Sequence, residues 1–287
     1  MAVAYGHFFH DVYNLSAAVV MQAAVFLPLA YLIPGKKSQP VFRRDMITDL
    51  LYYFIAGLVI APLNVAFLNL LTKTMHVPQL AIAYSADGKP LLFGWSLALH
   101  FVIAIFMVDF IQYWMHRWLH TGTLWKIHSI HHSSPNVDWL SNNRTHPINY
   151  VIFICVGMDI ATLCGFDPFQ SLWVIIFYGI NSCLVHANLH WTYGPLRYVF
   201  SSPVFHRWHH TSVDLGGNKN FSAVFSFIDY TFGTFYMPEG QLPQVFGTPD
   251  DPVPENILGQ IAYPFRKPKA LPASNMPDSV AVGAEGE

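Results

Sequence analysis

Ten histidines in two matched blocks carry the chemistry open to this sequence. The first block reads His116-Arg-Trp-Leu-His120, then His128-Ser-Ile-His131-His132. The second reads His186-Ala-Asn-Leu-His190, then His206-Arg-Trp-His209-His210. Each is HxxxH followed by HxxHH. On a helix, positions i, i+3 and i+4 share a face, so each motif aims two or three imidazoles at one point. The chain has 15 histidines in 287 residues. At that frequency a given histidine finds partners at +3 and +4 by chance roughly once in 400, so composition alone does not explain two such motifs.

Neutral imidazole binds zinc, copper, iron and nickel. One zinc takes three or four ligands, so ten donors suit two ions. Arg117 and Ala187 stand where the zinc-protease HExxH motif needs its glutamate. Carboxylate-bridged di-iron needs ExxH pairs in a four-helix core, and no Glu precedes Glu239. A CxxCH haem signature is also missing. An all-imidazole dinuclear site remains.

The elements that must hold these side chains are apolar. Hydrophobic residues make up 53% of the chain and charged residues 11%, about half the usual soluble share of roughly 25%. Lipid is therefore expected as part of the solvent. Five apolar segments can be read: Val12–Ile33, Leu50–Leu71, Leu91–Met115, Ile148–Cys164 and Phe169–Val185. The first three are long enough to cross a ~30 Å hydrocarbon core. The last two form a hairpin, joined by Gly165-Phe-Asp-Pro168, that spans or dips into the bilayer. Lys36, Lys37, Arg43 and Arg44 between the first two segments set that loop on the cytoplasmic side. Residues 116–146 and 186–210 then emerge on the same side, with the N-terminus outside. His7, His10 and His76 fall on the opposite side, and His100 lies about 24 Å from His116 along one helix. The first apolar run lacks a basic n-region and a cleavage site, so it reads as a retained helix.

Local signals place the motifs on short helices. Ser202-Pro203 offers a cap and first-turn proline before His206. Gly122 and Pro135 act as stops after His120 and His132. The expected fold is all-α: residues 1–115 hold three transmembrane helices, and 116–237 form a catalytic region containing the 148–185 hairpin. Residues 238–266 form a cytoplasmic extension, and 267–287, rich in Pro, Gly and acidic residues, a disordered tail. Net charge is near zero with no basic block, which excludes nucleic-acid binding. Cys155, Cys164 and Cys183 lie in apolar runs without metal-site spacing and read as small buried hydrophobes.

The stretch from about Asp109 to Tyr236 resembles the fatty-acid hydroxylase / sterol desaturase superfamily of membrane di-iron enzymes. The matching motifs are Asp109-Phe-Ile-Gln-Tyr-Trp-Met-His116, His128-Ser-Ile-His-His132, Asn142-Asn-Arg-Thr-His-Pro147, His206-Arg-Trp-His-His210, Asn220-Phe-Ser and Phe232-Gly-Thr-Phe-Tyr236. Its bacterial members and the alkylglycerol monooxygenase branch are most similar. The resemblance implies two non-haem iron ions, molecular oxygen and an external reductant. It implies a lipid substrate (fatty acyl, alkylglycerol or sterol type) and, without a fused cytochrome b5 segment, a separate electron-transfer protein of cytochrome b5-like or ferredoxin type. Hydrogen abstraction from an aliphatic carbon followed by hydroxyl return gives an alcohol; a second abstraction gives an alkene. Hydroxylation leads, desaturation is the alternative, and a metal transporter or sensor is disfavoured because the histidines flank the spans on one side. A bacterial inner membrane is favoured over the endoplasmic reticulum.

Other residues are candidates for supporting roles. Asp109, Asp138, Asn188, Asp214 and Asp229 are candidates to accept the outer N–H of a ligating imidazole and fix its orientation. His146 is open between an extra ligand, a base behind the ligands and a helix cap. Arg144 is a candidate for a lipid headgroup contact. Trp114, Trp118, Trp125, Trp139 and Trp208 read as an interfacial aromatic belt.

Overall fold

A computed structural model describes residues 2–75, 97–163, 172–212, 215–249 and 252–266. Gly165-Phe-Asp-Pro168, His76, Asp214 and the tail 267–287 lie outside the described residues. Among the described residues the chain is helical, and its only bridge of β type pairs Pro34 with Leu189.

The first helix, α1, runs Ala2–Leu32. The second apolar segment is one long rod: α2 (Met46–Ile55) passes through a π-helical turn at Ala56–Ile60 into α3 (Ala61–Met75). Two stretches of these helices, His10–Leu32 and Met46–Phe67, are long and apolar enough to cross a membrane, and only 6% and 17% of each is buried. Apolar side chains such as Val20, Leu63 and Phe67 face outward. A helix apolar on its exposed surface suits lipid rather than water.

The remaining helices gather the histidines. They are α4 (Leu97–Leu119), α5 (Trp125–His132), α6 (Pro147–Tyr150), α7 (Val156–Leu163), α8 (Leu172–His186), α9 (Pro203–His209), α10 (Ser226–Thr231) and α11 (Ile257–Ala262). A second π-helical turn, Val151–Cys155, joins α6 to α7. The ends follow local chemistry. Ser202 caps α9, its Oγ accepting from the Phe205 N–H at 3.1 Å with Pro203 in the first turn. Both features are the ones the sequence signals there.

The main core lies between α1 and α8, where Phe26, Trp139, Leu140, Cys183, Ala187 and Leu189 pack together. Farther along, Tyr52, Ile130 and Tyr263 form a second cluster that joins α2, α5 and the segment after α11. Together these clusters fix the inner ends of α5 and α8, and hence the imidazoles those ends carry.

Candidate metal centre

Among the described residues, nine imidazoles converge in two adjoining groups. His116, His120, His128, His132 and His209 form one; His131, His186, His206 and His210 form the other. Within each group one ring nitrogen per residue lies within 4.8 Å of all the others. Consecutive residues divide between the groups: His131 from His132, and His209 from His210. The groups abut, with the His132 and His210 rings stacked at 4.5 Å between centroids.

The hydrogen bonds show which nitrogen faces inward. His116 Nδ1–H donates to the Phe221 carbonyl at 2.8 Å, His131 Nδ1–H to the Arg144 carbonyl at 3.2 Å, His186 Nδ1–H to the Ser182 carbonyl at 2.7 Å, and His209 Nδ1–H to the Lys219 carbonyl at 2.7 Å. A carbonyl only accepts, so each of these rings carries its proton on Nδ1 and, when neutral, presents a bare lone pair at Nε2. His128 Nδ1 is held in the same way by Asn149 Oδ1 at 2.9 Å.

The inner nitrogens then face one another at short range. His128 Nε2 lies 3.0 Å from His116 Nε2 and 3.1 Å from His132 Nε2. His186 Nε2 lies 3.2 Å from His131 Nε2 and 3.0 Å from His206 Nε2. In His120 and His209, Nε2 is buried with no hydrogen-bond partner. Lone pairs aimed at one another repel unless a cation sits among them. Burial, which penalises the charged ring, pushes His131 down to about 4 and the neighbouring His128, His132, His206, His209 and His210 well below their ordinary 6.5. Neutral, converging and dehydrated, these side chains fit a metal site.

His190 stands apart. The i, i+4 relation needs a helix through both residues, but α8 ends at His186 and the chain turns extended to make the Leu189–Pro34 bridge. His190 is exposed, and its Nδ1–H donates to the Ile33 carbonyl at 3.1 Å. Changing His190 to Ala is therefore expected to leave bound metal per chain unchanged; a loss of metal equal to that of a His186→Ala variant would sink this placement.

The supporting candidates act otherwise than on the imidazoles directly. Asp109 accepts backbone N–H groups of Ala223, Val224 and Phe225 at 2.7–3.2 Å. Asp229 takes those of Phe221 and Ser222 at 2.8 and 2.9 Å, so both shape the loop whose Phe221 carbonyl holds His116. Asp138 pairs with Arg43 at 2.6 Å. Asn188 Oδ1 accepts from Arg207 and from the Lys36 N–H. His146 is a helix cap: its Nδ1 accepts from the Ile148 N–H at the start of α6, and its Nε2–H donates to the Ile261 carbonyl.

Arg144 is not available to a headgroup. It is buried, with Nε on Asp49 Oδ1 at 2.6 Å and Nη2 on Asp45 Oδ2 at 2.5 Å. Arg43 completes the network on Asp45, Asp49 and Asp138. The aromatic belt is also narrower than the sequence suggests. Trp114 and Trp118 are exposed, but Trp139 and Trp208 are buried, and Trp125 packs 5.0 Å from His120 and 5.2 Å from His132.

Three residues at the site are not among the sequence candidates, although Phe221 and Arg207 lie inside matching motifs. Asn149 orients His128 from the start of α6. Phe221 closes one side of the first group, its ring 5.1–5.6 Å from His116, His120 and His209. Arg207 is 1% exposed and pairs directly with no carboxylate among the described residues; Asn188 Oδ1, Gln39 Oε1 and the Phe246 ring hold it, and burial lowers it to about 9 despite the nearby Asp138.

Fold and site together define a helical protein with membrane-length apolar helices and a polyhistidine cluster that fits a metal site. Residues 101–234 match the fatty acid hydroxylase family model, so this part of the chain is a fatty acid hydroxylase domain. It is 30% identical over 192 residues to an ornithine lipid hydroxylase of Rhizobium tropici, covering 67% of this chain and 57% of the relative. It is 30% identical over 177 residues to an alkylglycerol monooxygenase of Caenorhabditis elegans, covering 60% of this chain and 33% of the relative. A methylsterol monooxygenase of Arabidopsis thaliana is 23% identical, with 71% and 73% covered. The chain thus spans less than two thirds of the first two relatives. No solved structure matches it.

Proposed function

We propose that this protein is a membrane di-iron oxygenase that inserts a hydroxyl group into an aliphatic carbon of a lipid, using O₂ and electrons from a separate donor protein. One observation carries the reading: two abutting groups of neutral imidazoles, each with inner nitrogens converging on a point, within a fatty acid hydroxylase domain. The relatives named for hydroxylation of an ornithine lipid and oxygenation of an alkylglycerol and a methylsterol favour a lipid substrate.

His116, His120, His128, His132 and His209 would hold one iron, and His131, His186, His206 and His210 the other. Iron held there would supply the oxygen activation and electron chemistry that no side chain offers. The chain's own residues do the rest. The Phe221, Arg144, Ser182 and Lys219 carbonyls keep each proton on Nδ1 and so each Nε2 free. Phe221 and Trp125 pack against the rings and exclude water. Five bilayer-crossing or bilayer-dipping segments would place the centre at the cytoplasmic membrane edge, where a lipid reaches it without crossing water.

The test is anaerobic loading of the detergent-solubilised protein with iron-57, followed by Mössbauer spectroscopy and product mass analysis on a lipid extract. Spin-coupled, nitrogen-ligated iron and a product heavier by one oxygen are expected. Zinc alone with no iron uptake would overturn the oxygenase reading, and loss of two hydrogens would replace hydroxylation with desaturation.

A further inference from the structure

The segment joining α9 to α10 does not stay at the level of the histidines. Val224 is buried in a cluster with Ala104 and Ile105 of α4 and Val174 of α8. Ala104 and Ile105 precede His116 by 12 and 11 positions, and Val174 precedes His186 by 12. At 1.5 Å per residue that is roughly 17–18 Å along either helix. Two helices of different sequence thus give the same depth, more than half of a ~30 Å hydrocarbon core. The side chains that follow climb α4 in order: Phe227 stacks with Phe106 at 6.0 Å, and Phe232 packs against Phe110 at 6.2 Å and Trp114 at 4.9 Å.

Irregular backbone at that depth is stable only where every polar group has a partner inside the protein. Here the partners are present. Asp109, fully buried, accepts the N–H groups of Ala223, Val224 and Phe225. Asn181 Nδ2 donates to the Ala223 carbonyl at 2.8 Å, and the Ser201 N–H donates to the Val224 carbonyl at 2.8 Å. Between Phe221 and Phe235 the one charged residue is Asp229, which is fully buried. The outward side chains are Phe227, Tyr230 and Phe232, with Tyr230 65% exposed.

From this we propose that residues 221–232 form a re-entrant loop that enters the bilayer between α4 and α8 from the side of the histidine centre, with Phe227, Tyr230 and Phe232 in contact with lipid. The proposal rests on the reading that α4 and α8 lie in the bilayer. It gives Asp109 its role: a carboxylate sunk in the membrane serves as the backbone acceptor that lets the loop descend. The loop begins at Phe221, whose ring walls the first histidine group.

The experiment is fluorescence quenching of bimane on single introduced cysteines in the iron-loaded protein, reconstituted in phosphatidylcholine nanodiscs. The positions are Phe227→Cys and Tyr230→Cys, with Val102→Cys on the exposed face of α4 and Glu239→Cys on the exposed extension as references, all in a Cys164→Ser background. Iron content equal to the parent reports folding. Bimane at 227 and 230 is expected to be quenched by brominated lipid and shielded from iodide, like 102 and unlike 239. If iodide reaches 227 and 230 as it reaches 239 while 102 stays in lipid, the loop proposal fails alone. If iodide reaches 102 as well, the bilayer placement of α4 fails and takes the loop with it.

Discussion

Changing His128 to Ala is expected to strip metal from the first histidine group and, with it, oxygen-dependent turnover. His128 Nε2 faces both His116 Nε2 and His132 Nε2 within 3.1 Å, so it is central to its group. His186 holds the same position in the second group, between His131 and His206. Asn149→Ala offers a graded comparison. It removes only the acceptor that turns the His128 ring, and such losses cost about 10–100-fold in metal affinity. The order His128→Ala below Asn149→Ala below parent, measured as iron retained against a competing chelator, is the expected result. A His128→Ala or His131→Ala protein that keeps its iron and its turnover would refute the ligand assignment.

A second large effect is expected far from any imidazole. Asp49 is fully buried and receives Arg43 on one oxygen at 2.5 Å and Arg144 on the other at 2.6 Å. Removing one partner of a buried ion pair leaves the other charges without compensation, at a cost of about 3–5 kcal/mol. Asp49→Ala is therefore expected to lower the unfolding midpoint in detergent sharply. Because the Arg144 carbonyl holds His131, the same change is expected to weaken metal retention in the second group rather than the first. Unchanged melting in Asp49→Ala would show that the two guanidiniums find other partners and that the network is not a keystone of the fold.

Much of this arrangement is legible in the residues themselves. The apolar runs mark the helices, and Ser202-Pro203 marks the start of α9 because capping is a local interaction. The HxxHH spacing survives folding because α5 is helical through it and α9 runs to His209, with His210 as its C-cap. The HxxxH of the second block does not, since nothing between Ala187 and His190 announces that α8 stops at His186. That stop depends on a contact with Pro34, more than 150 positions earlier. Long-range pairing also hides the roles of Arg144 and Asp109. An arginine near a membrane boundary reads as a headgroup partner until Asp45 and Asp49 are brought beneath it. A carboxylate seven positions before a ligand candidate reads as its orienting acceptor until the loop at 223–225 arrives with three N–H groups. Asn149 carries no pattern at all; only tertiary packing makes it the partner of His128.

The division of neighbouring residues between the two groups ties the halves of the centre into one thermodynamic unit. A peptide bond separates His131 from His132, and another separates His209 from His210, so α5 and α9 each reach into both groups. Occupying either position would hold the same two backbones that the other position uses. If each group holds an ion, as proposed, the first would discharge part of the ordering entropy on behalf of the second, and by linkage the coupling would be reciprocal. Titration with metal under anaerobic conditions would then fill the pair in a concerted step, leaving half-loaded chains scarce at every stage.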